Sequence, residues 1–438
     1  MLSKLVSRNT SKLLQKSTTT TGVRPFSTNQ DFVKLDYDKV CHNYGCLPVA
    51  IDRGERIYVW DVEGNKYFDF LCGYSACNQG HVHPKILKAM VDQAAKVTLT
   101  SRAFHNTQLG KFADYFTDLI GYDKLIPMNS GVEADETACK MARRWGYRVK
   151  GIPHNQANLL FPTGNFWGRS ITASGACDDP SRYNDFGPFT AGFELFKYND
   201  LEDLRIRLEK DPNIAGVCIE PIQGEGGVII PHDGYLKGVR DLCTKHNVLM
   251  IADEIQTGFG RSGKMFAVDH EEVRPDILVM GKSMSGGMMP VSGCLADDFI
   301  MDEIKPGDHG STYGGNPLAM AVAHAAVKTL VDEGMVENSA AMGALLKSEL
   351  KKIDSPLFKE VRGRGLFVGV ELKEDAHVDG NDYAKLCFKH GLLTKATHDS
   401  TIRLAPPLVI TEDEVHQSLD IIRAATEDLH ALNEQRGN

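Results

Sequence analysis

The feature that most constrains this chain is an alternation, beginning after Asp31, between short apolar runs and longer stretches with helical spacing. Four of the apolar runs predict strands, at residues 158–162, 216–221, 248–255 and 276–280. Two of the intervening stretches, residues 131–147 and 234–246, predict helices. Short β-rich runs separated by helices predict an α/β fold with a mainly parallel sheet that is covered on both faces.

The character of the sequence changes near Gly334, where a long helical stretch begins and β-rich runs follow at residues 361–371, 391–395 and 401–404. We therefore predict a large domain at residues 74–334 and a smaller α+β domain at residues 335–438. Residues 31–73 are expected to form an N-terminal segment that joins the small domain. Ligands of parallel sheets bind beyond the carboxyl ends of the strands, so candidate functional residues should follow the predicted strands.

The first thirty residues differ from the rest of the chain. They are rich in Ser and Thr, contain no Asp or Glu, and carry the basic residues Lys4, Arg8, Lys12, Lys16 and Arg24. This composition predicts a mitochondrial transit peptide over residues 1–30 and a location in the mitochondrial matrix. A disordered basic tail is the alternative. The cleavage site is left open, although the sequence around residues 24–27 favours the late twenties.

Composition excludes several classes of partner. The net charge of -9 argues against nucleic acid as the main partner, because phosphate contacts need a basic surface. No run approaches 18 consecutive apolar residues, so no membrane span is predicted. The 10 cysteines include no C-x-x-C pair, so neither a metal site nor a redox motif is indicated.

One segment matches a nucleotide-binding pattern but lacks its context. Residues 258–263 read G-x-G-x-x-G, the fingerprint of dinucleotide-binding proteins. The fingerprint functions where a strand turns directly into a helix whose N-terminus faces the pyrophosphate. Here residues 254–257 stand between the apolar run that ends at Asp253 and the glycines, and no helical pattern follows. A dehydrogenase is therefore a weak alternative.

Four features carry the chemical signal, and the first two are individually weak. Ser130 suits the N-cap of a predicted helix, and Gly131 and Val132 would let backbone N–H groups approach an anion. Any capped helix looks similar. Asp253 ends a buried strand with Gln256 three residues further on. A buried carboxylate needs a partner, and a structural salt bridge is the alternative to a functional role.

The other two features follow in chain order. Lys282 comes directly after the predicted strand 276–280 and Gly281, where a lysine is ordinarily solvated. Residues 309–317 form a polar, glycine-rich loop around Thr312 that is too distinctive for a simple connector.

Together the four features resemble the fold-type I pyridoxal-phosphate enzymes, and specifically the class III aminotransferases. The cofactor needs a lysine that forms an imine with it and an acid beside its pyridine nitrogen. The resemblance implies that Lys282 binds pyridoxal 5'-phosphate and then acts as general acid and base. It implies that Asp253 keeps the pyridine nitrogen protonated.

The resemblance extends from about Asp31 to the C-terminus and is strongest to the members that act on ornithine. The Asp253 and Lys282 segments are shared by the whole family. The stretches that point to ornithine include residues 42–44, 74–76, 127–134, 164–169, 220–225 and 403–407. Three methionines near Lys282, at residues 284, 288 and 289, could reshape local packing but replace no residue with an implied role.

Further cofactor contacts are implied by the same resemblance. Phe166 stacks on the pyridine ring, and Gln256 contacts the phenolic oxygen. The amides of Gly131 and Val132, after Ser130, bind the phosphate. Thr312 reaches that phosphate from the other subunit, so the resemblance implies a homodimer or a higher homo-oligomer.

Five residues are implied to bind the substrates, which would be a small amino acid and a 2-oxo acid. Arg169 and Tyr44 bind a carboxylate, for which a planar guanidinium is suited, and Tyr74 joins them. Arg403 receives the α-carboxylate of glutamate or 2-oxoglutarate. Glu225 pairs with Arg403 while ornithine is bound and releases it when the diacid enters.

The resemblance therefore implies a ping-pong transamination between L-ornithine and 2-oxoglutarate. Another class III aminotransferase, acting on acetylornithine or 4-aminobutyrate, is the nearest alternative. An aminomutase of the same fold would need no 2-oxoglutarate. A non-catalytic dimer that keeps the fold for binding is opposed by the presence of Asp253, Lys282 and Thr312.

Overall fold

A computed structural model describes residues 27–437 of the chain. The basic residues of the predicted transit peptide lie outside the described residues. Of these, residues 27–52 and 61–65 belong to one compact unit and the remainder to a second. None of the described helices has the length and apolarity that crossing a membrane would require.

The strands, numbered in chain order, are β1 Ile51–Glu55, β2 Tyr58–Asp61, β3 Lys66–Asp69, β4 Lys124–Met128, β5 Asn158–Pro162, β6 Phe193–Phe196, β7 Ile214–Ile219, β8 Leu249–Asp253, β9 Ile277–Met280, β10 Ser292–Ala296, β11 Phe358–Arg364, β12 Phe367–Leu372, β13 Leu392–Leu393, β14 Lys395–Thr397 and β15 Thr401–Leu404. The helices are α1 Asn29–Lys39, α2 Cys72–Ser75, α3 Pro84–Ala94, α4 Leu109–Ile120, α5 Gly131–Trp145, α6 Ile171–Gly175, α7 Pro180–Tyr183, α8 Leu201–Lys210, α9 Tyr235–Lys245, α10 Asp298–Met301, α11 Pro317–Asp332, α12 Met335–Leu350, α13 Gly380–Lys389 and α14 Glu412–Gly437.

The first unit contains helix α1. Thr28 is its N-cap and forms a capping box with Asp31, which satisfies backbone N–H groups that a helix start leaves without partners. The side chain of Asn29 accepts from the N–H of Ala50 and donates to Asp61, both at 2.8 Å. Helix α1 begins at Asn29, so its first two residues fall within the segment predicted as a transit peptide.

The second unit is built on a seven-stranded sheet with the order β4-β10-β9-β8-β7-β5-β6. Strands β9, β8, β7, β5 and β6 pair in parallel, whereas β10 runs antiparallel to both of its neighbours. Every residue of β7, β8 and β9 is buried, as expected where helices cover both faces. The predicted mainly parallel α/β sheet is confirmed.

Two smaller sheets complete this unit, with the orders β1-β2-β3-β13 and β11-β12-β15-β14. Strand β3 pairs in parallel with β13, placing Phe68 opposite Leu392. An early segment of the chain therefore shares a sheet with a late one. The domain boundaries themselves stay predictions.

The predicted strands of the central sheet and the two predicted helices agree with the structure except at their ends, whereas the predicted run 361–371 is divided into β11 and β12, and the run 391–395 into β13 and the start of β14. The predicted helix 131–147 is α5, which continues into a π-helical turn at Gly146–Lys150. The predicted helix 234–246 is α9, with Gly234 at its N-cap in a left-handed conformation. Residues 258–263 form turns followed by the 3-10 turn Ala267–His270, so the dinucleotide-binding alternative is wrong.

Candidate active site

Three neighbouring strands of the central sheet bring polar side chains to one place. Glu220 follows β7, Asp253 ends β8 and Lys282 follows β9. The three line a cavity of about 220 Å³ at the carboxyl ends of these strands, where ligands of parallel sheets bind. The rest of its wall comes from residues 131, 132 and 135 of α5, residues 166–168 and residues 255–256.

Lys282 begins a 3-10 turn, Lys282–Ser285, directly after Gly281. Its backbone is left-handed, with a φ of 45°, which is uncommon for a residue other than glycine. Burial lowers the pKa of Lys282 below its ordinary value, although the carboxylates of Glu225 and Asp253 act in the opposite direction. A lysine with a lowered pKa is more readily neutral, as a nucleophile and a general base must be.

Asp253 is buried, with 5% of its surface exposed. One carboxylate oxygen accepts the N–H of Ile255 at 2.9 Å, which turns the chain out of the sheet. Burial raises the pKa of Asp253 to about 6, while the Ile255 N–H and the charge of Lys282 lower it. The group is therefore ionised at neutral pH and is placed to pair with a cation in the cavity.

The N-terminus of α5 forms another side of the cavity. The N–H of Ser130 donates to the carboxylate of Glu133 at 2.6 Å, and the Ser130 carbonyl accepts from the Ser292 hydroxyl at 2.7 Å. The N–H groups of Gly131 and Val132 lie in the first turn, where a helix offers no acceptor. They and the helix dipole make this wall suited to an anion.

Phe166 supplies an aromatic wall. Its N–H donates to a carboxylate oxygen of Glu220 at 2.9 Å, which fixes the backbone beside the ring. The guanidinium carbons of Arg182 and Arg169 lie 4.9 Å and 5.6 Å from the centroid of the Phe166 ring. Arg169 itself is exposed.

Next to the cavity, Arg403 is buried, with 1% of its surface exposed. Its Nη1 donates to Glu225 Oε1 at 2.8 Å and to Gln256 Oε1 at 3.1 Å. Its guanidinium carbon lies 4.8 Å from the centroid of the Tyr74 ring. Burial alone would raise the pKa of Glu225, but the charge and hydrogen bond of Arg403 hold it below the ordinary value.

Tyr74 lies in the short helical turn α2, which is left-handed. The φ angles of Cys72, Gly73, Tyr74 and Ser75 are 56°, 55°, 58° and 72°. A left-handed helical residue other than glycine costs roughly 1–2 kcal/mol. Asp69, the last residue of β3, lies just before the turn, and its Oδ1 accepts the N–H groups of Leu71 at 2.9 Å and of Cys72 at 2.8 Å.

The structure does not bring all the predicted residues to the cavity. Thr312 is exposed and is not part of the cavity wall. Tyr44 belongs to the first unit, where 62% of its surface is exposed. The roles implied for these two residues stay predictions, and so do the ligand contacts implied for the residues of the cavity.

Two carboxyl groups in the wall were missed by the sequence reasoning. Glu220 has a pKa raised to about 8 by burial and by the charge of Asp253. Asp135 is 1% exposed, and burial and the charges of Asp253 and Glu220 raise its pKa well above the ordinary value. Both could have been found, because Glu220 lies at the carboxyl end of a predicted strand and Asp135 lies one helical turn after Gly131.

The residues of the cavity fit pyridoxal 5'-phosphate. The helix terminus suits a phosphate, the Phe166 side chain a ring, Asp253 a ring cation, and the buried Lys282 amine an aldehyde. Among residues 27–437, no group of three or more His, Cys, Asp or Glu side chains could hold a metal ion. A mainly parallel sheet with a lysine after one strand and an aspartate at the end of its neighbour defines a fold-type I pyridoxal-phosphate enzyme.

Comparison with known proteins agrees with this class. The family model of class-III aminotransferases matches residues 40–426, so the chain belongs to that family and is a pyridoxal-phosphate-dependent aminotransferase. It is 52% identical to the mitochondrial ornithine aminotransferase of Rattus norvegicus over 436 residues, which covers 96% of this chain and 98% of the relative. The family predicted from the sequence is confirmed, and its substrates are an amino acid and a 2-oxo acid.

Solved structures show the same relationship. The ornithine aminotransferase of Toxoplasma gondii, in which pyridoxal phosphate partly occupies the active site, aligns with a TM-score of 0.92 and 44% identity, covering 94% of this chain and 97% of that one. The acetylornithine aminotransferase of Elizabethkingia anophelis aligns with a TM-score of 0.84 and 47% identity, covering 91% and 99%. Both structures have the fold described above.

Proposed function

We propose that this chain transfers the δ-amino group of L-ornithine to 2-oxoglutarate, which yields L-glutamate 5-semialdehyde and L-glutamate. The observation that carries the proposal is the ion pair between Glu225 and the buried Arg403, at 2.8 Å and beside the cofactor cavity. The similarity to ornithine aminotransferases along almost the whole chain supports the same substrate.

Lys282 and Asp253 carry the chemistry common to both half-reactions. When bound, pyridoxal 5'-phosphate carries the amino group between the two substrates and delocalises the electrons of the substrate carbanion. Lys282 Nζ, which burial favours in its neutral form, would take the proton from the substrate carbon that bears the amino group and would release it to the other carbon bonded to the same nitrogen. The Asp253 carboxylate holds the proton of the ring nitrogen in place.

Arg403 and Glu225 explain how one site accepts two different amines. Glutamate reacts at its α-carbon, so its α-carboxylate lies near the reacting amine, whereas ornithine reacts at the δ-carbon, which has no carboxylate. An unpaired Arg403 would bind the α-carboxylate of ornithine and present the wrong amine. Glu225 neutralises Arg403 while ornithine is bound, and a diacid displaces it.

Three residues are proposed to hold the distant carboxylate of ornithine or the side chain of the diacid. Arg169 and Tyr44 would bind the carboxylate, and Tyr74 would close the site beside Arg403. A guanidinium recognises a carboxylate through two parallel hydrogen bonds. The exposed position of Arg169 beside Phe166 is consistent with a residue that receives substrate at the entrance.

The decisive experiment is identification of the products. The purified chain with pyridoxal phosphate, L-ornithine and 2-oxoglutarate should form glutamate and an aldehyde that can be trapped as the semialdehyde. Lys282→Ala is the matched control and should form neither product. The rates with acetylornithine and 4-aminobutyrate should be lower than the rate with ornithine. Faster turnover of either compound would contradict the proposal and identify that compound as the preferred substrate.

We further propose a homodimer in which Thr312 of one subunit completes the phosphate site of the other. Its exposure in the single chain and its absence from the wall of its own cavity support this arrangement. The composition of residues 1–30 supports import into mitochondria, and the relative from Rattus norvegicus is mitochondrial. Import of the full chain into isolated mitochondria, compared with a chain lacking residues 1–26, tests the location.

A further inference from the structure

Residues 258–263, which form turns despite their dinucleotide-like spacing, carry a buried guanidinium. Arg261 is 0% exposed. Its Nη1 donates to the carbonyls of Leu366 and Pro406, both at 2.7 Å. Its Nη2 donates to Asn78 Oδ1 at 2.6 Å and to Cys72 Sγ at 3.4 Å. None of these four hydrogen bonds is an ion pair, although burying a charge without one is costly.

Two of the four acceptors belong to the segments that place the proposed substrate-binding pair. Cys72 is the first residue of the left-handed turn that carries Tyr74, and Pro406 lies three residues after Arg403. The same two segments also meet where the N–H of Ala405 donates to the Phe70 carbonyl at 2.8 Å. Arg261 therefore ties together the two backbones that hold Tyr74 and Arg403 face to face.

A third acceptor leads to the catalytic lysine. Asn78 accepts from Arg261 and donates through its Nδ2 to the Ser283 hydroxyl at 3.2 Å. Gln79 donates to the carbonyl of the same serine at 3.0 Å. Ser283 directly follows Lys282 in the 3-10 turn. The segments that present Tyr74, Arg403 and Lys282 are thus connected through one guanidinium.

The left-handed turn is a further reason to expect a positioning role. Strained backbone persists only where the surrounding structure holds it in place, and such strain concentrates at functional sites. Asp69 holds the backbone N–H of Cys72, and Arg261 holds its thiol. The start of the turn is therefore held from two directions.

We propose that Arg261 is a positioning residue for substrate selection, because it sets the placement of Tyr74 and Arg403 relative to Lys282. It touches neither the cofactor cavity nor the reacting atoms. The proposal deepens the proposed function and rests on it. The planar guanidinium of Arg261 donates to four acceptors at once. A lysine at this position would keep the charge but could not make this set of hydrogen bonds.

Steady-state and half-reaction kinetics of Arg261→Lys test the proposal. We expect the KM for 2-oxoglutarate to rise by about tenfold to a hundredfold, which is the loss that small misplacements produce, with a smaller change in kcat. The proportion of ornithine that reacts at its α-amine should increase. The affinity of the apoenzyme for pyridoxal phosphate should remain within about twofold, because Arg261 does not line the cavity.

Tyr383→Phe is the control for a loss of stability alone. It removes the buried hydrogen bond between Tyr383 and Thr426, at 2.6 Å, away from the site, and should lower the melting temperature without changing the KM or the α-to-δ ratio.

Arg261→Gln, which keeps two donors, provides a second variant if the lysine variant does not fold. Variants at Arg261 that lose stability but keep the wild-type KM and product ratio would overturn the proposal, as would an equal loss of cofactor affinity. Failure of the proposed function would instead appear in the unmodified chain, as an absence of semialdehyde.

Discussion

Arg403 donates to Glu225 through Nη1 alone, at 2.8 Å, while its Nε and Nη2 have no hydrogen-bond partner among residues 27–437. The ion pair therefore uses only one of the three nitrogen atoms of the Arg403 guanidinium. The carboxylate neutralises the charge, and two donor atoms of the guanidinium remain for another acceptor. Both atoms are enclosed by surrounding side chains, so we expect a substrate carboxylate to reach Arg403 only as Glu225 moves aside, which keeps a carboxylate beside the buried charge during the exchange.

Glu225→Ala should change which amine of ornithine reacts. Loss of the neutralising carboxylate frees Arg403 to bind the α-carboxylate, so we expect the ratio of α to δ reaction to increase by about tenfold or more, the size of a charge-assisted hydrogen bond. Identification of the keto acid and aldehyde products by mass spectrometry measures the ratio. Glu225→Asp keeps the charge and should stay near the wild-type ratio; an alanine variant with unchanged products would contradict the proposal.

Arg403→Lys should affect the two half-reactions unequally. A lysine cannot form the two-point contact with a carboxylate, so we expect the KM for 2-oxoglutarate to rise by about a hundredfold, which corresponds to about 3 kcal/mol. Ornithine, whose δ-carbon carries no carboxylate, should react with less than a tenfold change. Rapid-mixing measurements of each half-reaction separate the two effects. Equal losses in both would assign Arg403 a structural role instead.

Cofactor affinity should depend on pH through Asp253. The pKa of this group is raised to about 6 in the cofactor-free chain, and a protonated Asp253 cannot pair with the ring cation. We therefore expect the dissociation constant of pyridoxal phosphate to rise by about tenfold for each pH unit below 6. Titration of the apoenzyme at several pH values measures this slope. Asp253→Asn should bind pyridoxal phosphate weakly at every pH and should lack the pH dependence that the Asp253 carboxyl causes. An equal slope in both proteins would show that another group is responsible.

The cofactor-free chain should lose stability as the pH rises. In the folded state the pKa values of Asp253 and Glu220 are raised to about 6 and about 8, above their values in an unfolded chain. The folded apoenzyme then binds more protons than the unfolded chain between about pH 4 and 8, so its free energy of unfolding falls across this range. Urea unfolding at each pH measures this dependence in the apoenzyme and in the holoenzyme. The dependence should be weaker in the holoenzyme, because the bound cofactor pairs with Asp253 and keeps it ionised. A flat profile for the apoenzyme would contradict the raised values.

Thr312 can be tested with mixed dimers of Lys282→Ala and Thr312→Ala chains. If Thr312 acts across the interface, one site of each hybrid combines an intact Lys282 with an intact Thr312. That site should bind pyridoxal phosphate as tightly as the wild-type protein, at one equivalent per dimer. If Thr312 acts within its own chain, no site of the hybrid is intact. Differently tagged chains allow the hybrid to be purified and the bound cofactor to be counted.

The central sheet and half of the site could be predicted from the sequence because they depend on local pattern. Strand β5 has the predicted bounds, whereas the predicted strand 248–255 ends at Asp253. The carboxylate of that residue accepts the N–H of Ile255 and turns the chain away from the sheet. Strand β7 ends at Ile219, just before Glu220 and Pro221, and a proline cannot donate a ladder hydrogen bond. The strand ends placed Asp253 and Lys282 correctly at one edge.

Other features depend on contacts between distant segments, which no local pattern reveals. The antiparallel insertion of β10 between β4 and β9 is a matter of topology. The four acceptors of Arg261 come from three separated parts of the chain, because Cys72 and Asn78 belong to one segment while Leu366 and Pro406 lie far along the sequence. The left-handed conformation at Tyr74 includes only one glycine, so the sequence gives little warning of it.

The left-handed turn at Tyr74 also affects how the substrate range of this enzyme can evolve. Any side chain at residue 74 has to tolerate the left-handed backbone of the turn, which most residues adopt poorly. It also has to pack against Arg403, whose position relative to the turn is held by the hydrogen bonds of Arg261. The backbone of Glu225 is not left-handed, and its side chain contacts Arg403 through a single ion pair. If the two residues have the roles proposed above, a change of substrate amine is easier to reach at Glu225, because the left-handed backbone at Tyr74 restricts which side chains that turn can carry.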